Sequence, residues 1–286
     1  MSDRDNVKNN DSKKQIPADV QHPKSHNERK AMIYASYPNL AGKRVVVTGG
    51  GTGIGAAIVD AFCKQGAQVF FLDIADEASQ ALEKSLVQSA KPPRFMHCDL
   101  TDLDAVAKVF ADIEREYGAV EILINNAAND DRHQVQNVTP AYWDDSFAVN
   151  LRHQFFCAQA VAPGMKALGG GVILNFGSIS WHLALGNLSL YMTAKAAIEG
   201  LTRGLARDLG PDGIRVNCII PGSVRTPRQM ALWHTPEEEA QILAAQCLHE
   251  RVETEDVAAL TLFLASDNAA RCSGRDYFVD AGWYGA

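Results

Sequence analysis

The chain lacks any run of apolar residues long enough to cross a bilayer. Its longest stretch without Asp, Glu, Lys or Arg, Ala167 to Ala194, is broken by Gly169, Gly170, Gly171, Asn175, Gly177, His182 and Asn187. A spanning helix needs about 20 mostly apolar residues in sequence. Apolar side chains are also scarce at the start, with only five in the first 30 residues. The apolar core of a signal peptide is not found there, so a cytoplasmic location is expected. Basic charge is short in the body. Residues 31–286 carry 20 Lys and Arg against 29 Asp and Glu. Nucleic-acid backbones and anionic membranes demand a basic surface, so neither is an expected partner. Cysteine is present but unpatterned. Cys63, Cys98, Cys157, Cys218, Cys247 and Cys272 include no Cys-x-x-Cys pair, and none stands at zinc spacing with a histidine. Six reduced thiols and no metal site are the expectation.

What is present fits a folded domain. Of 286 residues, 47% are hydrophobic and 21% charged, ordinary values for a globular chain. Residues 1–35 are rich in Asn, Asp, Lys, Ser and His and have little to bury, so they read as a disordered tail. From 36 to 286, short apolar runs alternate with helical patterns. Strands are expected at 44–48, 68–72, 94–98, 120–124, 171–176, 214–219 and 276–279. Helices are expected at 53–66, 75–90, 102–117, 140–167, 189–209, 236–248 and 254–265. Strands of four to six apolar residues separated by helices of a dozen or more mean a sheet covered on both faces. The expected fold class is therefore α/β, a single doubly wound Rossmann-type domain with a mostly parallel seven-stranded sheet.

Thr48-Gly-Gly-Gly-Thr-Gly-Ile-Gly55 joins the first strand to the first helix. Glycines there allow a tight turn and leave space for a pyrophosphate against the backbone. The helix N-terminus adds N–H donors and partial positive charge. Asp73 ends the second strand, 18 residues after Gly55. Its carboxylate can accept both ribose hydroxyls of an adenosine. A 2′-phosphate would meet like charge at a cost of roughly 4 kcal/mol per charge pair at about 4 Å. Residue 52 is Thr rather than a base. Both features favour NAD over NADP.

Tyr191 and Lys195 stand four residues apart near a helix start, on one face. Free tyrosine has a pKa near 10, so about one in a thousand is ionised at neutral pH. A nearby ammonium favours the phenolate. Ser178 lies at the carboxyl end of the fifth strand, where open α/β sheets bind ligands, and its hydroxyl can hold a substrate oxygen.

Together these residues resemble the short-chain dehydrogenase/reductase family. The matches run in order: the Thr48–Gly55 turn, Asp73, Asp99, Asn125-Asn-Ala-Ala128, Asn150, Ser178, Tyr191, Lys195, Pro221-Gly222, Thr226 and Val279-Asp280-Ala-Gly282. Ala128 departs from the family's usual glycine and is expected to tighten the bend. The resemblance implies hydride transfer to NAD, with Tyr191 as general base and Lys195 lowering its pKa. It also implies that Ser178 bonds the reacting oxygen and that Asn150 keeps a helix kink and a relay water. Gly49, Thr52, Gly53, Ile54 and Gly55 would hold the pyrophosphate beside Asp73. Asp99 and Leu100 would meet the adenine, and Asn126 and Ala127 would line the groove. Pro221, Val224 and Thr226 would hold the nicotinamide end beside Tyr191 and Lys195. A homo-oligomer, expected as a tetramer, is implied too, with helices 140–167 and 189–209 able to pair across a two-fold axis.

The substrate loops are polar. Asn129-Asp-Asp-Arg-His133 follows the fourth strand, and Trp181, His182 and Asn187 follow Ser178. Arg225, Arg228, Trp233 and His234 occupy a lid region. Sugars need carboxylates and amides for their hydroxyls and an aromatic face for their C–H side. The expected sugar contacts are Asn129, Asp131, Ser178, Trp181, His182, Tyr191 and Arg228. Segments such as Asn175-Phe-Gly-Ser-Ile-Ser-Trp-His182 and Asp280-Ala-Gly-Trp283 resemble the bacterial, NAD-dependent, pentose-oxidising branch of the family. That branch implies oxidation of a cyclic aldose, D-xylose first, at its anomeric carbon to the aldonolactone. The other readings are an enzyme for another sugar or polyol, or a reductase of carbonyl or 3-oxoacyl-thioester substrates, which would want an open apolar cleft. A non-catalytic NAD sensor would tolerate loss of Ser178, Tyr191 or Lys195, and all three are present.

Overall fold

Valine repeats set the centre of the sheet. In a computed structural model, which describes residues 32–233 and 235–285, Arg44–Thr48 forms β1, with Val45, Val46 and Val47 fully buried. Alternate side chains point to opposite faces of a strand. Val45 and Val47 accordingly pack with Ile58, Phe62 and Leu262, while Val46 packs with Phe110, Ile113 and Cys157. The sheet is thus sandwiched between two cores. Each fully buried Phe or Leu in them contributes roughly 2–3 kcal/mol of hydrophobic stabilisation.

The remaining elements follow as α1 Gly53–Lys64, β2 Gln68–Asp73, α2 Asp76–Ser85, β3 Arg94–His97, α3 Leu103–Tyr117, β4 Ile122–Asn125, α4 Pro140–Phe147 and α5 His153–Ala167. Then come β5 Gly171–Phe176, α6 Ile179–His182, α7 Ser189–Leu209, β6 Ile214–Pro221, β7 Val224–Arg225 and α8 Pro227–Leu232. The chain ends through α9 Pro236–Ala245, β8 Val252–Glu253, α10 Thr254–Ala265 and β9 Asp276–Val279. Seven strands run in the order β3-β2-β1-β4-β5-β6-β9, every pairing parallel. The chain winds outward from β1 to β3, then crosses back to β4 on the other side. That reversal opens a crevice at the carboxyl ends of β1 and β4. The register keeps these ends level, with Thr48 opposite Asn125 and Asn125 opposite Asn175.

Tyr34–Ala286 forms one compact unit; of the separate unit Met1–Ile33 only the last two residues are described. Most of the tail expected over 1–35 therefore lies outside the described residues. Tyr34 and Tyr37 pack against the core, and the Tyr37 N–H donates to Gln65 Oε1 at 2.8 Å, so the body starts slightly earlier than residue 36.

Several boundaries differ from the sequence expectation. The fourth strand lies at 122–125, not 120–124, because Glu121 turns to accept from Lys43 Nζ and Arg44 N–H. The second helix stops at Ser85 rather than 90, and α9 at Ala245 rather than 248. The single helix expected over 140–167 is divided. Between α4 and α5, Ala148–Arg152 forms a wider π turn, a feature that recurs at functional sites. It carries Asn150, 1% exposed, whose Oδ1 accepts the Asn129 N–H at 2.8 Å. Three small elements were not expected: α6 after Ser178, α8, and the β7–β8 ribbon that supports α8 and α9.

Candidate active site

The glycine turn leaves β1 at a positive φ of 64° at Gly49 and enters α1 at 55° at Gly53. Glycine is required here by contact as well as conformation. A Cβ on Gly55 would overlap Gly49 O, and one on Gly49 would stand 2.7 Å from Ala127 Cα. Ile54 packs on the core beneath α1, and Thr52 caps that helix with its backbone alone. Asn126 fastens β4 to the turn by donating from Nδ2 to Thr48 O and Gly49 O. Thr48 Oγ1 accepts from the N–H groups of Asn126 and Ala127. Ala128 has no positive φ, so alanine sits there without the strain a tightened bend would bring.

Asp73 is held in one orientation. Its Oδ2 accepts from Gly51 N–H at 2.8 Å and its Oδ1 from the N–H groups of Ile74 and Ala75. The acid therefore stands directly beside the turn. Asp99 makes a local turn by accepting from Thr101 N–H and Oγ1 at 2.8 Å, next to buried Leu100. Across the crevice, Pro221 closes β6 and Val224 is buried. Thr226 caps α8 through Oγ1, with its methyl 3.4 Å from where a Gly53 Cβ would lie.

Ser178 caps α6, and its Oγ lies 3.0 Å from Ser180 Oγ. Lys195, 1% exposed, donates to Phe176 O at 2.8 Å, and its Nζ stands 5.5 Å from the Tyr191 ring centre. Burial lowers the Lys195 pKa to about 8, against the smaller opposing fields of Cys218 and Asp130. Burial pushes the Tyr191 phenol well above its ordinary value; the Ser178 hydroxyl opposes this, and Asp130 adds to it. An alcohol placed between Ser178 and Tyr191 would thus meet a hydrogen-bonding hydroxyl, a phenol and a buried ammonium.

The loop after β4 and the start of α8 meet over the site. Arg228 Nε donates to Asp130 Oδ1 at 3.0 Å, and Nη2 to Asp131 Oδ1 at 2.7 Å and Asn129 Oδ1 at 3.1 Å. Gln229 Nε2 donates to Asp130 Oδ2 at 2.8 Å. The expected trio Asn129, Asp131 and Arg228 is brought together. Trp181 and His182 are placed differently. The indole Nε1 donates to Glu199 Oε1 at 2.6 Å, and His182 Nε2 lies 2.9 Å from the same oxygen. The Trp181 ring lies against His182, whose ring in turn meets Phe278 edge-on and Tyr284 at a tilt. The polar edges of Trp181 and His182 face Glu199, so they do not join the Asn129–Arg228 cluster. His234 lies outside the described residues.

Asp130 belongs to the polar loop 129–133 singled out in the sequence, though not to the expected sugar contacts, and Gln229 was not singled out. Nor was His153, which is fully buried and lies 3.1 Å from Ala127 O through Nε2. No spacing in the sequence marks that contact. Among the described residues no group of three or more His, Cys, Asp or Glu could hold a metal ion, and all six cysteines are free thiols.

A family model described as enoyl-(acyl carrier protein) reductase matches residues 49–284. The chain is 61% identical, over 88% of its length and all of the relative's, to a D-xylose 1-dehydrogenase of Caulobacter vibrioides. The chain is a short-chain dehydrogenase/reductase. A probable galactose dehydrogenase of Rhizobium meliloti is 47% identical over 87% of the chain and 97% of its own. Among solved structures, a 7α-hydroxysteroid dehydrogenase complexed with NADH and 7-oxo glycochenodeoxycholic acid superposes with a TM-score of 0.81. It is 32% identical, covering 85% of this chain and 94% of its own. This short-chain dehydrogenase is an oxidoreductase acting on CH–OH groups, and its family implies a nicotinamide dinucleotide. The residues present fit that group. Gly51 lies close against Asp73 and Ser79, where a Cβ would stand 2.4 Å from Ser79 Oγ, so the turn takes no side chain there, and Ser79 Oγ is buried without a protein partner. The free N–H groups at the start of α1 complete an anion cradle. No helix among the described residues is long and apolar enough to cross a membrane.

Proposed function

We propose that this short-chain dehydrogenase is an NAD-dependent aldose 1-dehydrogenase that oxidises the anomeric carbon of a cyclic pentose, D-xylose first, to the lactone. The observation that carries the reading is the polar rim of Asn129, Asp131 and Arg228 over the Tyr191 site. Such a rim matches a ligand dense in hydroxyls and penalises one that leaves those groups unpaired. The 61% identity to a D-xylose 1-dehydrogenase supports the same choice. A 3-oxoacyl-thioester or steroid would want an apolar cleft instead. The rim and Asp73 both speak against that alternative.

In this reading each residue of the site has a role. Ser178 holds the anomeric oxygen, and Tyr191 takes its proton as general base. Lys195, anchored on Phe176 O, keeps positive charge beside the phenol and reaches the ribose of the nicotinamide half. Asn150 fixes the loop carrying Asn129 and holds a relay water in the π turn. When bound, NAD supplies the acceptor for the hydride that leaves the anomeric carbon. Gly49, Thr52, Gly53, Ile54, Gly55, Asp73, Asp99, Leu100, Asn126, Ala127, Pro221, Val224 and Thr226 form the cofactor groove. The sugar rim is Asn129, Asp131 and Arg228 with Ser178 and Tyr191; Trp181 and His182 serve packing.

The decisive test is NADH formation with D-xylose, L-arabinose, D-ribose, D-glucose and D-galactose, using NAD and NADP in parallel. D-xylose with NAD is expected to give the highest kcat/KM. A higher value with D-galactose would favour a hexose enzyme, a reading supported by the 47% identical galactose relative. Reduction of a ketone or acyl-thioester with no sugar turnover would overturn the sugar assignment.

Six free thiols suit a reducing cytoplasm. We also infer a homo-oligomer, expected as a tetramer, paired through α5 and α7. Phe155, 41% exposed, lines a groove there with Ala158, Ala162 and Leu205. Light scattering at micromolar protein checks this, and a monomer would refute it.

A further inference from the structure

Ser178 stands between two unequal supports. Before it, β5 is paired along both edges, to β4 and to β6, and Gly177 N–H donates to Ile219 O at 2.9 Å. After it comes α6, a single turn of four residues that Ser178 itself caps. One helical turn is not stable alone, because nucleation fixes several residues for one hydrogen bond. Something outside α6 has to hold the turn, and with it the hydroxyl at its start.

Two contacts do so. Ile179 is buried with Ile198, Cys218 and Ile220. Apolar burial is non-directional, so it sets the depth of the turn and leaves its rotation open. The second contact has direction. Trp181 and His182, at the far end of α6, bring both ring nitrogens to one oxygen. The indole N–H donates to Glu199 Oε1 at 2.6 Å, and His182 Nε2 lies 2.9 Å from the same atom. The Glu199 and His182 side chains are both buried. A buried carboxylate depends on such partners far more than a solvated one does.

Glu199 belongs to α7, four residues after Lys195 and eight after Tyr191. Positions four apart stack along one side of a helix. The base, the ammonium and Glu199 are thus carried by one rigid element, and Glu199 grips the turn that begins at Ser178.

We propose that Glu199 is a positioning residue: by fixing the rotation of α6 it holds the Ser178 hydroxyl in place against the Tyr191 phenol. Trp181 and His182 are the other half of this brace. Reach matters in it more than charge, because the two ring nitrogens converge on a single acceptor atom. This inference rests on Ser178 and Tyr191 forming the reacting pair, as proposed above, and not on the identity of the sugar.

Glu199→Gln and Glu199→Asp separate reach from charge. The amide keeps an acceptor oxygen at full length and loses the charge. The shorter acid keeps the charge and withdraws it by one methylene. Glu199→Asp is expected to lower kcat by about tenfold to a hundredfold with KM within about threefold, since a misplacement of about 1 Å can cost a hundredfold. Glu199→Gln should stay within about threefold of wild type, and Trp181→Phe, which removes one donor, should fall between the two. NADH affinity, read by fluorescence, should hold within about twofold in all three. Ser178→Ala sets the limit, because a residue that acts through Ser178 cannot cost more than the hydroxyl itself. Rates are taken with the aldose that turns over fastest or, if none does, with a carbonyl compound reduced by NADH. A wild-type kcat in Glu199→Asp, a larger loss in Glu199→Gln than in Glu199→Asp, or a loss beyond that of Ser178→Ala would each overturn the proposal. A full rate in Ser178→Ala would instead refute the reacting pair on which it rests.

A second measurement needs no substrate. The N–H groups of Leu183, Ala184 and Leu185 donate to Ile179 O, Trp181 O and Ser180 O, so their hydrogen exchange reports how firmly the turn is held. Exchange at 183–185 should quicken by about tenfold in Glu199→Asp and stay near wild type in Glu199→Gln, with the amides of α1 unchanged in both. Unaltered protection of 183–185 in Glu199→Asp would overturn the proposal whether or not any aldose is oxidised. An equal quickening in α1 would make Glu199 a general support of the fold and overturn it as well.

Discussion

Tyr191 sits among groups that pull its proton in opposite directions. Burial and Asp130 hold the proton on, and Ser178 eases it off. A phenol in that balance depends on the positive charge that Lys195 holds beside its ring. Replacing Tyr191 with Phe should therefore lower turnover by at least about a thousandfold while leaving cofactor binding, read by NADH fluorescence, within about twofold. A variant that kept most of its rate would show that another group takes the proton. Asp73 permits an equally local prediction. Its carboxylate is fixed by Gly51, Ile74 and Ala75. Asp73→Ser should shift the ratio of kcat/KM for NADP over NAD upward by on the order of tenfold to a hundredfold, because like charge at a 2′-phosphate is removed. An unchanged ratio would mean that Asp73 does not choose the cofactor. Both residues could be proposed from the sequence because each belongs to a short-range pattern, a Tyr four residues before a Lys and an acid at a strand end. The pairing of Asp130 was not legible, since its partners Arg228 and Gln229 lie 98 and 99 residues away. Trp181 and His182 looked like sugar contacts for the same reason. Only the fold shows that Glu199, on the next long helix, takes both ring nitrogens.

Among elements, apolar runs located the inner strands β1, β2, β4, β5 and β6, because a buried parallel strand must be apolar on both faces; the edge strands β3 and β9, which bury no residue, were marked by shorter mixed runs. The breaks in helices were not written that way. The π turn at 148–152 carries ordinary helix formers, and its reason is the bond from Asn129 to Asn150, a contact with a loop. The β7–β8 ribbon was missed because two residues on each strand cannot display a period. Its stability comes instead from ion pairs. Arg251, only 9% exposed, pairs with Glu239 of α9 and donates to Ser223 Oγ at 3.2 Å, while Arg225 meets Glu239 at 2.9 Å and Glu253 at 3.4 Å. Removing one partner of such a partly buried network leaves charge uncompensated. Arg251→Leu should destabilise the protein by about 2 kcal/mol, read from denaturant melts. Because α9 is anchored there, KM for the sugar should rise more than kcat falls. A variant as stable as wild type with an unchanged KM would show that the ribbon does not hold the lid.

For the whole molecule, the two most deeply buried bases of the site make stability depend on pH in a definite direction. His153 is fully buried, and burial followed by the field of Lys195 pushes its pKa down to about 3, against the bond to Ala127 O. The unfolded chain takes a proton near pH 6.5, which the native state refuses. Unfolded molecules then bind more protons, so stability is complete above about pH 6.5 and falls as the pH drops toward 3. The slope from this one residue approaches about 1.4 kcal/mol per pH unit. Lys195 acts in the same sense in a higher window. With its pKa lowered from 10.5 to about 8, the unfolded chain binds more protons between those values. Stability therefore rises as the pH climbs from 8 to 10.5, and the full penalty of about 3 kcal/mol applies below 8. The protein accepts that penalty because the ammonium is needed beside Tyr191. Two outcomes follow for urea melts taken across pH. His153→Asn should flatten the decline between about pH 6.5 and 4.5. Lys195→Met, almost isosteric, should abolish turnover yet stabilise the protein at pH 7 by about 2 kcal/mol, with the gain shrinking toward pH 10.5. If Lys195→Met were instead less stable than wild type at every pH, the bond from Lys195 to Phe176 O would outweigh the burial of its charge. The ammonium would then be a structural support of the β5 end as well as part of the site.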